Sequence, residues 1–271
     1  MNNPSLPIGV FDSGMGGLTV LAALRQRLPE EDFLYLGDTA RLPYGTKSAD
    51  TVVRYARQAA GALVRRGIKA LVVACNTASA TALEALANEF SPLPVFGVVE
   101  PGAAAAARVA DASGVAVLAT ESTIAGGAYQ RALLRHQSTL RVLGRPCPLW
   151  VTLAEQGEQA SALSDAILAD GVSGLVKSPK APLLPSTVLL GCTHFPIFRQ
   201  SLGRLLGDGV HIIDSAQTTA LAVAHGLAAD GLLTQGGGNA VFLATDGVQR
   251  FQRVGATFLD EPLPDVALVD I

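Results

Sequence analysis

Short apolar runs alternate with longer amphipathic stretches along the whole chain, and each apolar run stops at a polar or glycine-rich turn. Four to six apolar residues between turn signals read as buried parallel strands, whereas apolar positions three and four apart read as helix faces. On this pattern strands are predicted at 8–11, 33–36, 71–74, 94–99, 114–119, 140–143, 187–190, 210–213, 241–244 and 266–269. Helices are predicted at 18–28, 48–66, 80–90, 101–110, 123–135, 158–169, 197–206, 215–227 and 248–254, with 150–155 as a loop. The stretch 177–182 reads as an exposed Pro-rich connector and 231–239 as a flexible glycine-rich loop. Strands that alternate with helices from end to end give an α/β fold with mainly parallel sheets.

Two of the strand ends are alike. Leu71-Val72-Val73-Ala74 stops at Cys75-Asn76-Thr77, and Val188-Leu189-Leu190-Gly191 stops at Cys192-Thr193-His194. Asn76, Thr77 or Ser79 can cap the helix after the first, and Pro196 suits an early helix position after the second. The C-terminal ends of parallel strands are where α/β proteins bind ligands. A helix N-terminus there is expected to lower a thiol from about 8.5 toward the physiological range. Either cysteine alone is an ordinary buried residue. Their shared context points instead to two related halves that each present one thiol. Cys147, between Pro146 and Pro148, has neither a polar neighbour nor an evident helix start, and is expected to be structural.

Composition narrows the function. In 271 residues, 49% are hydrophobic and 16% charged, with a net charge of −3. That excludes disorder and gives no electrostatic case for nucleic acid as the main partner. Three cysteines do not make a disulfide framework and fit a reduced, cytoplasmic protein. The N-terminal residues show no basic or long apolar stretch, so neither a signal peptide nor a membrane span is expected.

The other strand ends add polar groups. The first runs into Asp12-Ser13-Gly14-Met15-Gly16-Gly17 and the second into Gly37-Asp38, followed by Tyr44-Gly45. A dinucleotide loop is disfavoured, because Thr19 stands where the third glycine belongs and Asp12 would repel a pyrophosphate. Neither PLP nor metal is expected. The four lysines, Lys47, Lys69, Lys177 and Lys180, lie outside these strings, and Cys192-x-His194 lacks the paired spacing of a zinc site. A cysteine hydrolase using Cys192 and His194 would leave Cys75 unexplained, and residues at i and i+2 seldom face each other. A non-catalytic binding module would have no use for two strand-end thiols.

The strings GVFDSGMGGLTV, GDTARLPYG, ACNTASA, VVEPG, CPLWVTLAEQG and LGCTHFP occur in this order over nearly the full length. Together they resemble glutamate racemases of the aspartate/glutamate racemase family. The resemblance implies two similar α/β domains with the active site in the cleft between them, the first built from 1–98 plus 209–271 and the second from 99–208. It implies racemisation of glutamate without a cofactor, supplying D-glutamate for peptidoglycan, with Cys75 and Cys192 as paired acid/base residues. Asp12 and His194 would assist proton transfer. Asp12-Ser13, Tyr44-Gly45, Asn76-Thr77 and Thr193-His194 would contact substrate, with Asp38 and Glu155 as polar groups near the thiols. A homodimer is a candidate assembly. Thr152 stands where the family usually has Pro, Phe195 where Tyr is usual, and Gly126 where Ser is common.

Overall fold

The computed structural model describes residues 3–175 and 185–271, so the connector at 177–182 lies outside the described residues. In chain order its elements are β1 (Ile8–Asp12), α1 (Leu18–Arg27), β2 (Phe33–Gly37), α2 (Ala49–Val64), β3 (Ala70–Val73), α3 (Asn76–Glu89), β4 (Val95–Gly97) and α4 (Val99–Val109). Then follow β5 (Val115–Ala119), α5 (Glu121–Ala125), α6 (Ala128–His136), β6 (Val142–Pro146), α7 (Pro148–Glu155), α8 (Ala162–Gly171), β7 (Thr187–Gly191), α9 (Arg199–Leu206) and β8 (His211–Asp214). The chain closes with α10 (Ser215–Ala229), β9 (Ala240–Ala244), α11 (Val248–Leu259) and β10 (Val266–Leu268).

Among the described residues all strand pairs are parallel. They form a six-stranded sheet in the order β10-β9-β2-β1-β3-β4 and a four-stranded sheet in the order β6-β5-β7-β8. The order β2-β1-β3-β4 in the larger sheet is repeated as β6-β5-β7-β8 in the smaller one. In each, the chain leaves the founding strand to one side and returns on the other. That reversal opens a crevice beyond the C-terminal ends of β1 and β3, and of β5 and β7. Cys75 follows β3 and Cys192 follows β7, so the two thiols occupy matching positions at the two switch points. The strand β8 pairs with β7, which places 211–214 in the smaller sheet although the sequence reading assigned them to the first half.

The central strands β1, β2, β3, β5 and β7 are buried along their whole length, which is why they read as continuous apolar runs rather than alternating ones. Helix α1 packs against α10, α2 against α3, and α4 against α6. One apolar cluster runs from Val10 and Leu21 on the larger sheet to Trp150 and Leu190 on the smaller. Among the described residues no helix is long and apolar enough to cross a membrane.

Several elements differ from the sequence expectation. The loop expected at 150–155 is the helix α7, started by Pro148 and fixed by burial of Trp150, Val151, Leu153 and Ala154. The helix expected to 135 is two pieces, broken where Gly127 takes a left-handed conformation at φ 64. The helix expected at 158–169 begins later, at a capping box formed by Ser161 and Ser164.

Candidate active site

The crevices of the two sheets face each other and share one small cavity. Ser13, Tyr44, Gly45, Cys75, Asn76 and Thr77 line it from the larger sheet, and Thr120, Val151, Cys192, Thr193 and His194 from the smaller. Its volume is about 20 Å³, room for roughly one water. An apolar vestibule of about 170 Å³ adjoins it and shares Pro43, Gly45, Thr120 and Val151 with it.

Cys75 is itself the N-cap of α3, in extended conformation, with its Sγ accepting from the Ala78 N–H at 3.5 Å. The expected caps Thr77 and Ser79 are used elsewhere: the Thr77 hydroxyl meets Thr120 and Thr123, and Ser79 bridges the Val73 carbonyl and the Val98 N–H. The Cys75 thiol also donates to Ser13 Oγ at 3.5 Å. Contrary to the sequence expectation, its pKa is not lowered. Burial, and then the nearby Asp12 carboxyl, push the thiol up to about 12, against the weaker pull of Ser13 and the Ala78 N–H. Cys75 therefore rests as a protonated thiol, an acid held in place.

The Cys192 turn is built differently. His194 adopts a helical conformation ahead of the short 3-10 turn Phe195–Phe198, which curls the chain back so that its Nδ1 lies 3.7 Å from Cys192 Sγ. Residues at i and i+2 on one helical turn seldom face each other, yet the curl at His194 brings these two together. On its far side His194 Nε2 is 2.6 Å from Glu155 Oε1. Burial lowers the proton affinity of His194, but its hydrogen bonds to Cys192 and Glu155 outweigh this and raise its pKa well above 6.5. The imidazole is held as a cation between the Cys192 sulfur and the Glu155 carboxyl group.

Asp12 is fully buried behind the cavity wall. Its Oδ2 accepts from the Gly14 N–H at 2.9 Å, and its Oδ1 from the Thr193 hydroxyl at 3.4 Å, which links the two halves. Burial raises its pKa despite His194 nearby. Asp38 does not line the cavity. It accepts from the Tyr44 hydroxyl, from Arg41 at 2.7 Å and from Thr245 at 3.0 Å, and so fixes the turn that presents Tyr44 and Gly45. Asn76 Nδ2 donates to the Tyr129 hydroxyl at 2.6 Å and lies 3.3 Å from Ser215 Oγ.

The profile of the Asp/Glu/Hydantoin racemase family matches residues 16–223. The chain belongs to this family. A glutamate racemase from Geobacter metallireducens is 46% identical over 99% of this chain and 98% of its own. Among solved structures, glutamate racemase isoform RacE1 from Bacillus anthracis superposes with a TM-score of 0.91 at 34% identity, covering 99% of each chain. That from Francisella tularensis, in complex with D-glutamate, gives 0.90 at 32% identity over 99% of this chain and 98% of its own.

Against the racemase family's usual pattern, Phe195 is fully buried edge-on to Trp150, their centroids 4.9 Å apart, and Thr152 lines the vestibule rather than the cavity. Gly126 lies in the reversal between α5 and α6. The sequence reading passed over Thr120 and Thr123, whose hydroxyls close a triangle with Thr77 at 2.9 to 3.1 Å, and Tyr129, which holds Asn76. The polar string after β5 was the visible signal for the threonines; nothing in the sequence near Tyr129 announced its contact.

Cys147 does have a helix start, as the N-cap of α7 at the end of β6. Its Sγ points to the Arg145 carbonyl at 3.8 Å, and it packs in the apolar cluster with Trp150 rather than on the cavity. Cys147→Ser is expected to leave turnover within about twofold of the parent and to cost about 1 kcal/mol of stability, from a buried hydroxyl with one weak acceptor. Steady-state kinetics and thermal melts of the variant check this; a loss like that of a cavity-lining thiol would overturn it.

Proposed function

We propose that the protein interconverts L- and D-glutamate without a cofactor, by a two-base mechanism in which Cys75 and Cys192 act on opposite faces of Cα. The observation that carries this is the pair of thiols at topologically equivalent strand ends lining one cavity. Racemisation removes the α-proton on one face and returns one on the other, so two groups able to hold a proton are the minimum. A protonated Cys75 is placed to deliver a proton while Cys192, backed by His194 and Glu155, removes one; in the reverse direction the roles exchange.

Asn76, Thr77, Thr193 and Ser13 offer donors for the substrate carboxylate, alongside the N–H groups of the first turn of α3. Tyr44 and Gly45, with Thr120 opposite, face where a second carboxylate would lie. Asp12 and His194 assist the transfers; Asp38 and Glu155 hold their neighbours. The substrate assignment is supported by the relatives named above and by the six sequence strings. On the same resemblance, D-glutamate feeds peptidoglycan synthesis in the cytoplasm, where the three free cysteines stay reduced. The two sheets support a division into two α/β domains, the first discontinuous.

The Cys192–His194–Glu155 chain also has the form of a nucleophile, base and orienting carboxylate, which favours a hydrolase as the second reading. One experiment separates them. In deuterated water with no added cofactor, the purified protein is expected to interconvert the glutamate enantiomers, leave aspartate unchanged and place deuterium at Cα of every product molecule. Racemisation without solvent exchange, or a strict need for added PLP, would end the two-base reading.

A further inference from the structure

Helix α11 belongs to the larger sheet, where it packs against α1 and β10, yet two of its side chains reach the catalytic turn of the smaller one. The Phe258 ring stands edge-on to the His194 imidazole at 5.4 Å. Arg250 reaches Glu155 in two ways: a guanidinium N–H donates to the Glu155 carbonyl at 3.1 Å, and the same nitrogen lies 3.4 Å from Oε2. Glu155 is the last residue of α7, so its carbonyl is one that the helix leaves without an intrahelical donor. Its carboxylate is 5% exposed. Oε1 goes to His194, while Oε2 is buried with no hydrogen-bond partner among the described residues. A buried, half-partnered carboxylate is free to swing about its last torsion unless something fixes the other oxygen.

We propose that Arg250 is a positioning residue for the Cys192-side proton transfer, holding the Glu155 carboxylate so that Oε1 stays on His194 and the imidazole stays on Cys192. The arginine side chain is 41% exposed, so it acts as an outer clamp at the edge of the site. Because α11 comes from the larger sheet and α7 from the smaller, the clamp exists only while the halves are together. Cys75 has no share in it, being held instead by Ser13 and the Ala78 N–H. The consequence is a one-sided role. Arg250 serves the enantiomer whose α-proton goes to Cys192 and is indifferent to the other. This rests on the two-base reading above.

Racemisation itself cannot display such one-sidedness, since both directions traverse both thiols. Elimination can. With chlorine at Cβ of glutamate, the α-proton passes to one thiolate, the Cβ–Cl bond breaks with loss of chloride, and the dehydroamino acid tautomerises and takes up water to give 2-oxoglutarate and ammonium. Elimination is to be measured from each enantiomer separately, for the parent, Arg250→Gln, Arg250→Lys, Glu155→Gln and the double variant Arg250→Gln/Glu155→Gln. Arg250→Gln is expected to slow elimination about tenfold from the enantiomer that Cys192→Ser also fails to process, and to leave the other within about twofold. Arg250→Lys restores part of the loss. In the Glu155→Gln background, adding Arg250→Gln costs nothing further, because the group it positions is already uncharged. Equal slowing of both enantiomers, or full additivity with Glu155→Gln, overturns the proposal and leaves the two bases standing. A parent enzyme that eliminates from one enantiomer alone overturns the two-base reading itself.

Discussion

Cys75→Ser and Cys192→Ser are each expected to lose racemisation by about a thousandfold, yet each is expected still to eliminate chloride from one enantiomer of a Cβ-chlorinated glutamate, with the surviving enantiomer opposite in the two variants. Proton removal and return need two groups, and a serine hydroxyl is a far weaker acid than a thiol near 8.5. Elimination needs one base, so the intact thiol suffices for the enantiomer it faces. On the family resemblance alone, Cys75 is expected to serve D-glutamate and Cys192 L-glutamate. The two cysteines need not be equal in kind. Cys75 is pushed up to about 12 by burial and Asp12, whereas Cys192 faces a cationic imidazole at 3.7 Å. Solvent-exchange and elimination assays on the two variants decide the matter. If both lose the same enantiomer, or Cys192→Ser racemises normally, the site has one base.

Gly16→Ala is expected to lower kcat about a hundredfold with little change in folding, because the site tolerates no displacement of order 1 Å. A Cβ at Gly16 would fall 2.5 Å from both His194 Nδ1 and Thr193 Oγ1, atoms that the smaller sheet contributes. The backbone there is not among the positive-φ glycines, so alanine meets no conformational penalty of its own and the whole effect is contact. To relieve it, either the imidazole turns away from Cys192 or the two halves separate. The first breaks the Cys192–His194–Glu155 chain, and the second parts Thr193 from Asp12 and one thiol from the other. Gly203→Ala in α9, where a Cβ meets nothing within 4 Å, is the matching control and should leave activity untouched. Steady-state kinetics with thermal melts of the two variants test this. A fully active Gly16→Ala would mean that the Asp12–Gly17 turn does not rest on Thr193 and His194 during turnover.

The strand positions, the two cysteine turns and the polar ends of β1, β2 and β3 were legible because a buried parallel strand leaves a continuous apolar run with a sharp polar end. Less was legible where packing overrode local preference. Val151 and Thr152 are weak helix formers, and α7 exists because Trp150 and Leu153 are buried beside Phe195. The same limit hid the helix start at Cys147, whose cap is set by β6 ending against β5.

The sequence by itself determined an α/β chain with two matching strand–thiol units and, through six ordered strings, the family. It could do so because these signals are local: period, cap and turn are written within a few residues of one another. Tertiary structure alone decided which groups meet. The depth that raises Cys75 rather than lowering it and the reach of Arg250 from α11 to Glu155 depend on how two sheets are apposed, and the contact of His194 with Glu155 on how α7 packs beside the Cys192 turn. Desolvation and contact across nearly a hundred residues of chain follow from that apposition, and no local pattern encodes them.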